Sequence, residues 1–198
     1  EGLVAVPDRG GRDRSLFEML CADRRETLYI VHRIDKETSG VIVFARSAPM
    51  HRHLSRQFES HTVEKVYLAL VHGVIADDQG QIDRPLRQFG SGRMGVDDRH
   101  GKPSSTEFRV LQRLDGFTLV EARPRTGRRH QIRVHLYSIG HPIVGDPLYG
   151  EKTVQRGYPR LMLHAHRLTL DRSSGHRLTL EAPVPKSFQE VVTAVGKS

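Results

Sequence analysis

Cysteine is nearly absent from this sequence: Cys21 stands alone among 198 residues. One thiol cannot build an internal disulfide framework, so a reducing compartment is expected, with the cytoplasm as its default. Long apolar runs are missing too. None approaches the roughly 20 residues of a membrane-spanning helix, and no charged-then-apolar leader stands at the start; a soluble chain is expected. No period of about 20 to 50 residues recurs, and no tract is of low complexity. What the chain has in surplus is positive charge, 31 Lys plus Arg against 23 Asp plus Glu, a net +8. That surplus makes polyanions the natural partners. The length suits one sizeable domain, expected over 1–198 and as a monomer. Because the chain opens on Glu1 and not on Met, a preceding segment is expected to be absent from it.

Local pattern predicts the elements. "VPDRGGRDRS", Val6 to Ser15, reads as a Gly- and charge-rich loop before a short helix around Leu16 to Cys21. "VIVFA", Val41 to Ala45, is a β-branched run bounded by Gly40 and Pro49, which predicts a strand buried on both faces. Ser47 fits an N-cap with Pro49 in the first turn, and Met50, Leu54 and Phe58 recur on one helical face. "KVYLALVHGVI", Lys65 to Ile75, predicts a second long buried strand. Gln79 to Ser105 lacks apolar periodicity and reads as a long excursion. Alternating segments either side of Asp115-Gly116 predict a hairpin. A helix is expected from about Gly127 to Ile139, with Thr126 as cap and Gly140 as stop. A second hairpin turns at Ser173 to Gly175, and "PKSFQEVVTAV" closes as a short helix. Hairpins with a few packed helices make an α+β domain, with a mostly antiparallel or mixed central sheet.

Two constellations could carry chemistry. Five arginines and His130 lie between Arg123 and Arg133, with no acid among them. On a helix from Gly127, Arg129 and Arg133 would stand one turn apart and Ile132 and Leu136 would anchor the apolar face. A helix start so charged suits phosphate, although a charge run is more often a solvated face. The missing acids favour the anion. Asp35 is the opposite case, an acid between His32-Arg33 and Lys36. In an extended segment Arg33 and Asp35 point to one side. A carboxylate among cations stays ionised, which suits a nucleophile or base; a turn into Ser39-Gly40 is the bland alternative.

"HRIDKETSGVIVFARS", His32 to Ser47, resembles the signature of RluA/RsuA-type pseudouridine synthases, HR[LI]DxxTSGxxxxA. "EKVYLALVHG", Glu64 to Gly73, and "RTGRRHQIRVHLYSIGHPIVGDPLYG", Arg125 to Gly150, resemble two further blocks of that family in the same order. The resemblance implies a pseudouridine synthase fold and isomerisation of uridine in structured RNA, in large-subunit ribosomal RNA or alternatively transfer RNA. It implies Asp35 as the catalytic residue, attacking or deprotonating the ribose, with Tyr67 stacked on the uracil and Arg133 holding the carboxylate. Ile132 would pack beside the base, and Arg33 would enter the RNA where the base has left the stack. His130, Arg125, Arg128 and Arg129 complete the expected substrate contacts. One departure stands at the start. Family members usually open on a strand ending in Lys-Pro before Gly-Leu, whereas here only "EGLVAVP" remains, so a truncated first strand and no N-terminal RNA-binding domain are expected.

An isomerisation needs no cofactor, and none is expected. "HRH" at His51 to His53 and "HAH" at His164 to His166 lack the Cys or acid neighbours of a zinc site and read as surface histidines. "GVDDRHGKP", Gly95 to Pro103, departs from a phosphate loop in its glycine spacing and in Pro where Ser or Thr belongs. Two other function classes compete. A non-catalytic RNA-binding module would use the basic face with Asp35 only structural. An aspartate-based phosphotransferase would use Asp35 and Thr38, but Glu37 stands at the wrong offset for a second magnesium ligand.

Overall fold

The computed structural model describes residues 1–7 and 14–197. The centre of the loop expected at Val6 to Ser15 therefore lies outside the described residues. Helix α1, Leu16–Arg24, begins at a capping box in which Ser15 and Glu18 satisfy each other's backbone N–H groups.

The core is built on β4, Glu64–His72. It lies between β9, Phe117–Pro124, and β10, Leu163–Asp171, antiparallel to both. Outside β9 come β8, Ser105–Leu114, and then β5, Gln79–Asp83; outside β10 comes β11, Arg177–Glu181. The β8–β9 hairpin turns at Asp115-Gly116 and the β10–β11 hairpin at the second expected site. Ala69, Leu70 and Val71 are fully buried between the layers, because the central strand is covered on both faces. Truncating Leu70 to alanine belongs to the class of change that costs about 2–5 kcal/mol. Helices α3, Gln131–Ser138, and α5, Lys186–Val195, supply Ile132, Leu136 and Phe188 to this core. A four-residue helix, α4, spans Lys152–Gln155.

A smaller cluster lies under α2, Ala48–Glu59, whose N-cap is Ser47 and whose Met50, Leu54 and Phe58 pack against Leu168 and Leu170. Here the expectation of one continuous strand fails. Val41 to Val43 join two short pieces, β2 at Ser39–Gly40 and β3 at Phe44–Ala45. β2 runs parallel to β10, while β3 pairs with β1, Tyr29–Ile30, in a separate sheet. The chain crosses from one sheet to the other, so its β-branched residues are half-buried and only Ala45 is fully so. Gly40 permits the crossing: its φ is 120°, and a Cβ there would overlap the Ala165 carbonyl.

The expected excursion from Gln79 to Ser105 is also structured. Besides β5 it holds a hairpin of β6, Leu86–Gln88, and β7, Met94–Val96. Leu86 and Met94 bury against Val134 and Tyr149, a tertiary contact that local periodicity does not show. "GVDDRHGKP" follows as a turn in which Asp97 accepts from the backbone of Arg99 and His100.

Candidate active site

The helix expected from Gly127 begins only at Gln131. His130 has left-handed backbone, φ 53° and ψ 21°, which a helix cannot run through. The buried Gln131 carboxamide accepts from Thr126 Oγ1 at 2.6 Å and from the Arg128 N–H at 3.0 Å, and donates to Ser105 O at 2.9 Å. It holds residues 126–130 as a loop. Arg129 and Arg133 are therefore not one turn apart on a helix.

That loop forms one wall of a cleft of about 320 Å³. The segment after β1, with His32 to Asp35 and Thr38, forms another, and β4 contributes Lys65 and Tyr67. Asp35, Tyr67, Arg133, Arg33, Ile132, His130 and Arg128 all line it. Arg129 opens on an adjoining recess with Asp35 and reaches towards Gly92 O of the β6–β7 hairpin. Arg125 stands outside, forked on Glu107 at 2.7 and 2.8 Å.

Arg133 organises the centre. Its Nε and Nη2 donate to the two oxygens of Asp146 at 2.8 and 2.7 Å, and its Nη1 donates to Asp35 Oδ2 at 3.1 Å. Arg133 and Asp146 side chains are 1% and 0% exposed, while Asp35 keeps 19% open to the cleft. Burial opposes the guanidinium charge, but the hydrogen bond and charge of Asp146, with the charge of Asp35, hold it raised above the ordinary arginine value. Glu37 is only at the margin, 3.9 Å from Nη1. Asp146 also accepts from the Leu148 and Tyr149 N–H groups, at 2.9 and 3.1 Å. Gly145 makes that turn possible, with φ 73° and the Arg160 carbonyl where a Cβ would be.

Burial, and then the charge of Asp35, push the Tyr67 phenol above its ordinary pKa, so it stays protonated at neutral pH. His130 is lowered to about 4 by burial, and its Nε2 lies 3.9 Å from Asp35 Oδ1 while Nδ1 meets Tyr149 Oη at 3.0 Å. A neutral imidazole thus sits beside the carboxylate. Thr38 donates its N–H to Asp35 O at 3.0 Å, closing the turn in which the carboxylate stands. Its own buried hydroxyl has no hydrogen-bond partner among the described residues.

The family model described as RNA pseudouridylate synthase matches residues 2–138. The chain belongs to the RNA pseudouridylate synthase family. An uncharacterized RNA pseudouridine synthase of Zymomonas mobilis is 42% identical over 197 residues, covering 95% of this chain and 90% of that one. Ribosomal large subunit pseudouridine synthase D of Nitrosomonas europaea is 40% identical, covering 98% of this chain but 60% of its own length. Among solved structures, human RNA pseudouridylate synthase domain containing 1 superposes with a TM-score of 0.77 at 30% identity, over 91% of this chain and 84% of that one. These likenesses agree with the α+β architecture described above.

Asp146, Tyr149, Lys65 and His32 have site positions that sequence reasoning left without a role. The first two lie in "GDPLYG", inside the longest matched block, and Lys65 precedes Tyr67 at strand period. The histidines expected at the surface are not all there. His164 is 1% exposed and bonded to Ser39 Oγ at 2.8 Å. His53 meets Asp171 O at 2.8 Å, and His166 meets Ala182 O at 3.1 Å.

His32 has a structural task in its motif: Nε2 accepts the Val43 N–H at 2.9 Å and the ring stacks on Phe58 at 4.7 Å. Burial, then the nearby Lys65 charge, lower it from 6.5 to about 4. Below about pH 6.5 the unfolded chain binds the extra proton, so this contribution is complete above that pH and fades as pH falls towards 4, by up to roughly 3 kcal/mol. Denaturant unfolding at pH 7 and pH 4.5 should show a smaller loss in His32→Gln than in the parent. Equal losses would remove His32 from the acid response.

Proposed function

We propose that this protein converts uridine to pseudouridine in large-subunit ribosomal RNA, with the cleft between the 126–130 loop and β4 receiving an extruded nucleotide. The observation that carries the reading is the Asp35 carboxylate, fixed at 3.1 Å by a guanidinium that Asp146 itself immobilises, and partly open to a cleft floored by Tyr67. In the reaction the C1′–N1 bond breaks, the uracil turns, a C1′–C5 bond forms, C5 gives up its proton and N1 gains one. Nothing is oxidised, reduced or hydrolysed. Asp35 is the group that acts on the sugar side, and Arg133 supports its negative charge without a change of protonation. Tyr67 stacks on the uracil as a neutral phenol, with Ile132 beside it.

A base inside a helix cannot reach this depth, so the nucleotide must leave its stack, which costs least in loops and single strands. Exposed Arg33, with Arg128 and Arg129, is placed for the surrounding phosphates. The ribosomal target follows the large-subunit synthases among the relatives, with transfer RNA the second choice. Pseudouridine mapping in ribosomal and transfer RNA from cells with and without this protein tests the proposal. One or a few large-subunit positions should lose modification in its absence. No altered position in either RNA would remove the activity.

A further inference from the structure

Lys65 and Tyr67 leave β4 on the same face, about 7 Å apart along the strand, and both line the cleft. The Lys65 ammonium donates to Thr126 O at 3.0 Å. It has three donors, and among the described residues no carboxylate pairs with it. The other deeply placed cations are matched: Arg133 by Asp146 and Asp35, Arg160 by Glu1. Burial lowers the Lys65 pKa to about 8, with no acid acting against it. An incompletely bonded, half-buried charge is costly, and the cost is recovered when a ligand brings the opposite charge. Space for one is present. A Cβ at Gly127 would find only Lys65 Nζ near it, at 4.0 Å, so the loop lies open over the ammonium.

We propose that Lys65 binds the phosphate of the nucleotide whose base lies on Tyr67, and so sets how far that nucleotide enters the cleft. The inference rests on the reading of the cleft as a uridine site. The Lys65-to-Tyr67 separation is comparable with the span from a base to the phosphate of its own nucleotide. Arg33 is exposed and solvated, so its phosphate contacts are screened; Lys65 acts where water is scarce. A phosphate is not altered in the reaction, so Lys65 holds the ground state and the transition state alike and is a substrate-binding residue.

The test uses the whole chain as parent, Lys65→Met and Lys65→Arg, with an unmodified transcript of large-subunit ribosomal RNA as probe. Binding is measured from 50 to 200 mM salt and turnover under steady state. Lys65→Met should raise KM and the RNA dissociation constant about tenfold and flatten the plot of log affinity against log salt by about 0.7, the single-strand value for one phosphate. Its kcat should stay within about threefold, the mark of uniform binding. Lys65→Arg should restore the salt slope. An unchanged slope in Lys65→Met, or a lower kcat with KM and slope unmoved, would overturn the phosphate contact. A slope that Lys65→Arg does not restore would overturn it too. A parent that binds the transcript but makes no pseudouridine would sink the functional reading instead, and the salt slopes would still decide Lys65.

Discussion

Asp35→Ala is expected to abolish pseudouridine formation, a loss of more than about 1,000-fold or 4 kcal/mol, while RNA affinity stays within a few-fold of the parent. The separation follows from how the site is anchored. Arg133 is held through Nε and Nη2 by Asp146, and only Nη1 is given to Asp35. Removing the Asp35 carboxylate therefore leaves the guanidinium in place and the cleft walls standing. It also makes a basic protein one charge more basic, which favours a polyanion. Measured conversion of a large-subunit transcript, beside binding to the same transcript, checks both halves. Turnover within tenfold of the parent would show that the carboxylate does not do the chemistry. If the parent bound RNA and formed no product, Asp35 would be a structural acid in a binding module, as its turn with Thr38 allows.

The elements that were legible in the sequence are those whose signal is local. Ser47 and Pro49 mark the start of α2, and Asp115-Gly116 marks the β8–β9 turn, because caps and turns are decided by a few adjacent residues. Where distant contacts decide, the pattern misleads. Val41 to Ala45 has the composition of a buried strand, yet the parallel pairing of Ser39–Gly40 with β10 and the pairing of Phe44–Ala45 with β1 divide it between two sheets. The late start of α3 depends on a left-handed His130 and on Gln131 reaching Ser105, neither visible as periodicity. Within the site, the motif resemblance points to Asp35 and Arg133, and the structure brings them to 3.1 Å across 98 positions of sequence. Asp146 carries no local signal, because its partner is 13 positions away and meets it only when the "GDPLYG" turn is folded. The arginine run divides in the same way. Arg125 is spent on Glu107 across the β8–β9 hairpin, while Arg128 reaches the cleft.

Arg133→Ala should cost far more than Arg125→Ala in both stability and turnover. Arg125 is an exposed partner in a surface pair, worth at most about 1 kcal/mol, and stands outside the cleft. Deleting Arg133 leaves the Asp146 carboxylate fully buried without its cation, a class of change that costs about 3–5 kcal/mol. Loss of activity alone would then be ambiguous, since a destabilised chain is also a poor enzyme. The double variant Arg133→Met with Asp146→Leu separates the two effects. It removes both buried charges together and replaces them with apolar volume, so denaturant unfolding should return much of the stability lost in Arg133→Ala. The return should be partial, because the Leu148 and Tyr149 N–H groups lose their acceptor. Turnover should not return, because Asp35 would still lack the Nη1 that steadies it. A double variant that regained activity along with stability would mean that Arg133 serves the fold alone, and that Asp35 works without its guanidinium.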